Sequence, residues 1–245
     1  MILIVNGAEG HMGRNVRECI RQKMPETVIV PVDAGGTESL RHLGEYDGRA
    51  DCVIDFSHHS ATKALLEYCT ATGTPVVIAT TGQTEEELRM IRDAGEKIPV
   101  FFTANLSIGI AVLVKMAKEA VKAFPDADVE IVEIHHNRKV DAPSGTALML
   151  GKELQSVREG STLHCGRSGF GKREKQEIGI QSLRMGNVVG IHEVHICTAT
   201  QTLTLRHEAH DRKLFAEGAL EAAQFLCGRT AGIYGMKDLL GEEEK

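Results

Sequence analysis

The chain has 245 residues, 42% of them hydrophobic and 25% charged, with a formal net charge of -6 at pH 7. That length gives room for one large domain or two small ones with real cores, and an acidic balance without any basic tract argues against a nucleic-acid partner. Even the longest apolar runs, such as residues 108–114, fall far short of the roughly 20 apolar residues that a membrane-spanning helix needs.

The chain opens with the continuous apolar run of residues 2–6, which reads as a short buried strand. It passes directly into a glycine turn rather than a cleavage site, which leads to the expectation of a soluble, cytoplasmic protein with no membrane partner. The turn is Gly7, Ala8, Glu9, Gly10, His11, Met12 and Gly13, and residues 15–23 beyond it have helical periodicity through Val16 and Ile20. Strand, glycine turn and helix in that order form the setting of a dinucleotide site: glycine lets the backbone approach a pyrophosphate, and the helix N-terminus faces its charge. The spacing, GxxGxxG, is a variant of the usual pattern. A second strand, residues 27–32, ends in Asp33, an acidic residue placed to accept hydrogen bonds from adenosine ribose hydroxyls. Ala34, Gly35 and Gly36 follow it, and the next cation is Arg41. A carboxylate without a nearby cation repels a 2'-phosphate, so the expectation is NADH in preference to NADPH.

The alternation of strand and helix continues. Strands are expected at residues 52–56, 75–79 and 99–103, with helices at 61–72 and from Thr84 to about Lys97. Thr84 to Glu87 has the form of a capping box. The strands end in small polar residues that would line one rim of a parallel sheet, although each such tip is also ordinary turn chemistry. His58 and His59 read as helix-entry residues, since no third ligand accompanies them. Residues 108–124 form a long amphipathic helix.

The stretch EIVEIHHNRKVDAPSGTA at residues 130–147 is the richest in chemistry. Residues 129–134 alternate as a strand, which puts His135, His136 and Lys139 at its C-terminal end or in the loop beyond. Ser144, Gly145 and Thr146 then start a helix whose free N-H groups attract anions. Two imidazoles, an ammonium and a helix N-terminus make a site for a substrate bearing carboxylates, with a proton donor beside it. Against this stands the ordinary reading, in which each histidine is structural or solvated.

That helix should end near Glu159. Residues 161–177 are polar, glycine-rich and basic, as in a mobile surface loop. Residues 178–184, 188–198 and 202–207 are consecutive strands of an antiparallel or mixed sheet. His192 and His195 differ by an odd number and so point to opposite faces, which argues against a shared metal. A last long helix covers residues 211–226 and a short terminal one residues 234–240. The cysteines at 19, 52, 69, 165, 197 and 227 have neither zinc nor disulfide spacing. Most read as small core hydrophobes in a reducing compartment, and no metal is expected.

Five motifs together, GAEGHMG at 7–13, TTG at 80–82, ANLS at 104–107, EIHHNRKVDAPSGTA at 133–147 and the tail from 215 to 240, resemble the dihydrodipicolinate (4-hydroxy-tetrahydrodipicolinate) reductase family across effectively the whole chain. The long HH..K.DAPSGTA signature is highly specific, and the glycine motif alone is not. The resemblance implies an α/β chain: a Rossmann-like parallel-sheet domain at residues 1–106 plus 215–245, and a central α+β substrate-binding and oligomerisation domain at 107–214 whose mixed sheet builds a homotetramer. It implies NAD(P)H-dependent reduction of a cyclic dicarboxylate in diaminopimelate and lysine biosynthesis. His135 would exchange the proton, and Lys139 would donate a proton and meet a substrate carboxylate. His136, Ser144, Gly145 and Thr146 would bind carboxylates. The cofactor would lie along Gly7 to Met12, Asp33, Ala79, Thr80, Thr81, Thr103, Ala104, Asn105 and Leu106. The sequence departs from the family pattern at His11, where relatives usually carry Arg, and at Ala79, in place of a common glycine. His11 weakens a phosphate-facing cation. Two other readings are another two-domain NAD(P)-dependent dehydrogenase, which would need a reactive cysteine that Cys165 fits poorly, and a non-catalytic nucleotide-sensing module.

Overall fold

A computed structural model describes residues 1–241 of the chain. They divide into two compact units, one made of Met1–Ser107 and the segment from Lys213 onward, the other of Ile108–Arg212.

In the first unit the strands are β1 (Ile2–Asn6), β2 (Val28–Val32), β3 (Cys52–Asp55), β4 (Val76–Ile78) and β5 (Pro99–Phe102), and the helices are α1 (His11–Lys23), α2 (Thr62–Thr72) and α3 (Glu85–Gly95). With β11 (Gly232–Tyr234) the strands form one six-stranded parallel sheet in the order β11-β5-β4-β3-β1-β2. The strands are apolar on both faces because both faces are covered. Along β1, Leu3 and Val5 pack with Val16 and Ile20 of α1 and with α6 (Lys213–Leu226), whereas Ile4 joins Leu65 of α2 and Ile91 of α3. The buried face of α6 is mostly small, with Ala216, Ala219, Ala222 and Ala223, so its backbone lies close to the sheet. This is the Rossmann-like α/β arrangement expected. All strands point the same way, so the segments after β1 to β5 share one rim, and β2 and β3 flank β1 on opposite sides.

The second unit is a mixed five-stranded sheet, ordered β10-β9-β6-β8-β7, made of β6 (Asp128–His135), β7 (Thr162–Cys165), β8 (Glu177–Arg184), β9 (Gly190–Cys197) and β10 (Thr202–Ala209). Helices α4 (Ile108–Ala123) and α5 (Gly145–Gln155) bury one face against Val129, Ile131, Ile178, Ile180, Val194 and Ile196. The opposite face carries Glu193, His195 and Thr204.

Several expectations are corrected. α1 begins at His11, not Asn15, because the glycine turn feeds straight into the helix. α5 stops at Gln155. Within residues 161–177, expected as a loop, β7 pairs in parallel with β8. Residues 166–176 do form an exposed surface loop, tied at Arg173, whose guanidinium meets Asp128 at 3.0 Å and Glu130 at 3.1 Å, and at Arg167, which pairs with Glu177. Residues 234–240 are not one helix: β11 extends the sheet edge, and α7 (Met236–Leu239) follows. Only Cys19, Cys52 and Cys69 are core residues, and Cys165, Cys197 and Cys227 are exposed.

Candidate functional site

In the first unit, the rim carries the glycine turn. Gly7 has φ +78°, and a Cβ there would lie 2.6 Å from the carbonyl oxygen of Phe56; one on Gly13 would lie 2.0 Å from that of Gly7. Only glycine lets the chain turn this tightly and bring α1 against it. Gly10 caps α1 without a side-chain bond, and no acidic residue occupies the first turn. The helix N-terminus is therefore left with free donors for an anion. A cleft of about 740 Å³ opens beside it, lined among others by Gly7, Gly10, Asp33, Arg41, Ser57 and His58. Asp33 accepts from the Glu9 amide at 2.9 Å and the Gly35 amide at 3.1 Å. Its position beside glycine turn and helix end suits a ribose diol, whereas none of Ala79 to Thr81 or Thr103 to Leu106 lines this cleft.

Arg41 is the residue that sequence distance concealed. A bridge between Val32 and Leu40 folds the chain back, so the arginine lines the same cleft as Asp33, and its Nη1 lies 3.4 Å from the carbonyl of Ala34. The premise that no cation accompanies Asp33 is thereby corrected. Glu9 supports the fold-back by accepting from the Glu38 amide and the Ser39 hydroxyl.

The other tips are largely committed to the protein. Thr80 is buried and donates to Asp55 at 2.6 Å, where Asn6 and Ser57 also converge. Burial raises the Asp55 carboxyl above its usual range, although those bonds pull the other way. Thr81 and Ala104 are exposed, and Ala79 is half-buried. Thr103 and Asn105 brace one another through the 103–105 turn, and Leu106 is a core residue.

In the second unit, His135 and Ser144 of the expected cluster meet Glu133 at the C-terminal end of one face of β6. Alternation along β6 buries Val129, Ile131, Glu133 and His135 in turn, so an apolar face becomes polar toward the strand's C-terminal end. Glu133 is 0% exposed, and its Oε2 lies 2.5 Å from His135 Nδ1. Arg184 of β8 grips both carboxylate oxygens, at 2.9 and 2.8 Å, and the Ser144 amide donates to Oε1 at 3.1 Å. Burial alone would raise the Glu133 carboxyl, but hydrogen bonds from His135, Arg184, Ser182 and Ser144 hold it well below the carboxylate range. Cross-strand register puts His192 of β9 opposite Glu133. The His192 ring stands edge-on to that of His135, with centroids 5.2 Å apart, and its Nε2 lies 3.2 Å from the Ser144 hydroxyl. Burial lowers the His192 pKa to about 3, which keeps it neutral.

His136 follows at the strand end. Its Nδ1 is buried without a hydrogen-bond partner, and desolvation with nearby arginines lowers its pKa. Lys139 reaches Asp141 at 2.8 Å, and that bond lowers the Asp141 pKa. Ser144 caps α5 by accepting from Ala147, Gly145 is exposed, and Thr146 lies in the first turn. Of the six predicted residues of this unit, His135 ends β6, His136 and Lys139 lie in the segment after it, and Ser144, Gly145 and Thr146 form the N-terminal end of α5. Glu133, Arg184 and His192 were not among them, although Glu133 could have been found as the residue two before His135 on the same strand face. Among the described residues, no group of three or more histidines, cysteines or acidic side chains is arranged to hold a metal ion, and no helix is long and apolar enough to cross a membrane.

Comparison with known proteins gives a consistent result. Residues 1–106 match the family model for the dihydrodipicolinate reductase N-terminus, and residues 109–240 match that for the C-terminus. The 4-hydroxy-tetrahydrodipicolinate reductase of Clostridium novyi (strain NT) is 39% identical, with 97% of each chain covered. That of Caldanaerobacter subterraneus subsp. tengcongensis is 41% identical, again over 97% of each. The fold is similar to that of a solved dipicolinate-bound dihydrodipicolinate reductase from Paenisporosarcina sp. TG-14, with a TM-score of 0.78, 23% identity, and 97% and 98% of the two chains covered. With both halves matched and relatives near 40% identity along almost its whole length, the chain belongs to the dihydrodipicolinate reductase family of enzymes.

Proposed function

We propose that this protein reduces 4-hydroxy-tetrahydrodipicolinate to tetrahydrodipicolinate, a step toward diaminopimelate and lysine. The reaction named for its relatives supports this reading, and the observation that carries it is the cluster at the end of β6. A twofold carboxylate would meet Lys139, His136 and the N-terminus of α5 with Ser144, Gly145 and Thr146. Together these neutralise two negative charges in a partly desolvated setting. Lys139 would exchange its contact with Asp141 for a substrate carboxylate. Once the 4-hydroxyl has left as water, ring C4 belongs to a conjugated cyclic imine, and a reduced nicotinamide, when bound, would supply the hydride that adds there. The electron density pushed into the ring is then quenched by a proton on the adjacent carbon. His135 is suited to give that proton, because imidazole exchanges protons near neutrality.

The cleft of the first unit supports a pyridine dinucleotide, with pyrophosphate at Gly7 to Met12 and the adenosine ribose at Asp33. Ala79, Thr80, Thr81 and Thr103 to Leu106 occupy the remainder of the same rim. We infer NADH as the preferred cofactor, since Asp33 repels a 2'-phosphate, with NADPH accepted because Arg41 lines the same cleft. The reading carries a cytoplasmic enzyme, assembled as a homotetramer through the open face of the second sheet.

The test is NADH oxidation followed at the nicotinamide absorbance with freshly generated substrate. Turnover that depends on the cyclic dicarboxylate is expected. Tight NADH binding with no substrate-dependent oxidation would leave a nucleotide-sensing module in its place.

A further inference from the structure

The Glu133 carboxylate is completely enclosed, and its contacts do more than satisfy a buried charge. An ionised carboxylate has no proton of its own, so its 2.5 Å contact with His135 requires the proton to sit on Nδ1. The bidentate grip of Arg184, with the Ser144 amide, fixes the carboxylate from the other side. The second ring nitrogen is kept clear by a different device: a Cβ on residue 190 would stand 3.1 Å from His135 Nε2, and that residue is glycine. His192, packed edge-on, limits ring rotation without adding a competing positive charge. The groups that face His135 are therefore Glu133 on its own strand, Arg184 on β8 and His192 on β9, with His136 and Lys139 on the loop that follows.

We propose that Glu133, paired with Arg184, is the positioning residue of the proton-transfer step: it holds the proton of His135 on Nδ1 and presents Nε2 as the atom that exchanges a proton with substrate. The proposal rests on the reading of His135 as the proton donor. No covalent change is asked of Glu133, which stays ionised throughout. The rival account makes Glu133 a tie between β6 and β8 through Arg184, with His135 only a neighbour.

The experiment uses the full chain labelled with 15N-histidine, with the His135 resonances assigned by comparison with His135→Gln. In the unmodified protein at alkaline pH, Nδ1 is expected to carry the hydrogen and Nε2 the lone pair. In Glu133→Gln the two tautomers are expected to mix, because an amide can donate to Nδ1 as well as accept from it. With NADH and substrate, the same variant should lose about tenfold or more in kcat. Its KM for NADH should stay within about twofold. Glu133→Asp, which keeps the charge, should restore the tautomer in part. A purely structural tie would lower stability and leave the tautomer untouched. An Nε2–H tautomer in the unmodified protein overturns the proposal even if Glu133→Gln does not fold, and so does an unaltered tautomer in a folded Glu133→Gln. A changed tautomer with unchanged kcat would show that Glu133 sets the tautomer but would overturn its role in proton transfer, together with the reading of His135 as the donor.

Discussion

Lys139 and His135 sit at opposite ends of the proposed chemistry, one charge-bearing and one proton-bearing, and neither belongs to the unit that carries the dinucleotide cleft. Replacing either by Ala is therefore expected to lower kcat by about 10²- to 10⁴-fold, the usual worth of a positioned acid or base. NADH affinity, measured by fluorescence titration, should stay within about twofold; near-normal turnover in both variants would remove the assignment. Arg41 makes a different prediction. A 2'-phosphate is doubly charged and forms charge-assisted bonds that a ribose hydroxyl does not, so Arg41→Gln should cost about tenfold in kcat/KM with NADPH and little with NADH. Equal losses with the two cofactors would show that Arg41 only shapes the cleft. The positions of the loop residues were legible because they are contiguous, so that strand end, loop and helix start follow from one stretch of sequence. Arg184, His192 and Arg41 were not: strand register delivers the first two, and a single bridge delivers the third. Pairing between distant segments leaves no local pattern to read.

At the scale of elements, the same contrast separates the long helices from the short edge strands. The capping box at Thr84 and Glu87 forms as its pattern implies, and α3 follows from it. β7 and β11 are edge strands of four and three residues, too short for alternation to be distinctive, and none of their residues is buried. Each exists because a longer neighbour offers it free hydrogen-bonding groups. α6 shows what composition does record. Its alanines let it lie close to the sheet, and at Gly218 the approach is so tight that an added Cβ would fall 1.8 Å from the carbonyl oxygen of Leu106. Gly to Ala inside a helix is ordinarily worth about 0.5–1 kcal/mol of added stability. Here the obstacle is backbone rather than a flexible side chain, so Gly218→Ala is expected to destabilise by about 1–3 kcal/mol. Thermal unfolding should record a drop in Tm of several degrees, and a rise would mean that α6 can shift outward without loss.

For the whole molecule, acid should act unequally on the two units. The histidines whose pKa is lowered, His136, His192 and His207, all lie in the second unit, and burial is the leading cause for each. A histidine held neutral in the folded state binds fewer protons than its unfolded counterpart between the two pKa values, so stability rises with pH across that window. For His192 the window runs from about 6.5 in the unfolded chain down to about 3 in the folded one. Its contribution is complete above 6.5 and is lost as pH falls, at up to about 1.4 kcal/mol per pH unit. Glu133 adds a loss of the same sign, but only below the ordinary carboxylate range, since its folded pKa is depressed. In the first unit Asp55 has the reverse sign: its raised pKa favours the folded state most at low pH. Hydrogen exchange corrected for intrinsic rates should therefore show β6, β8 and β9 losing protection between pH 7 and pH 5 while β1, β3 and β4 hold theirs. His192→Gln should flatten much of that slope, because a neutral amide has no proton to gain. Equal losses in both units, or an unchanged slope in the variant, would mean that His192 finds a way to charge without opening the sheet.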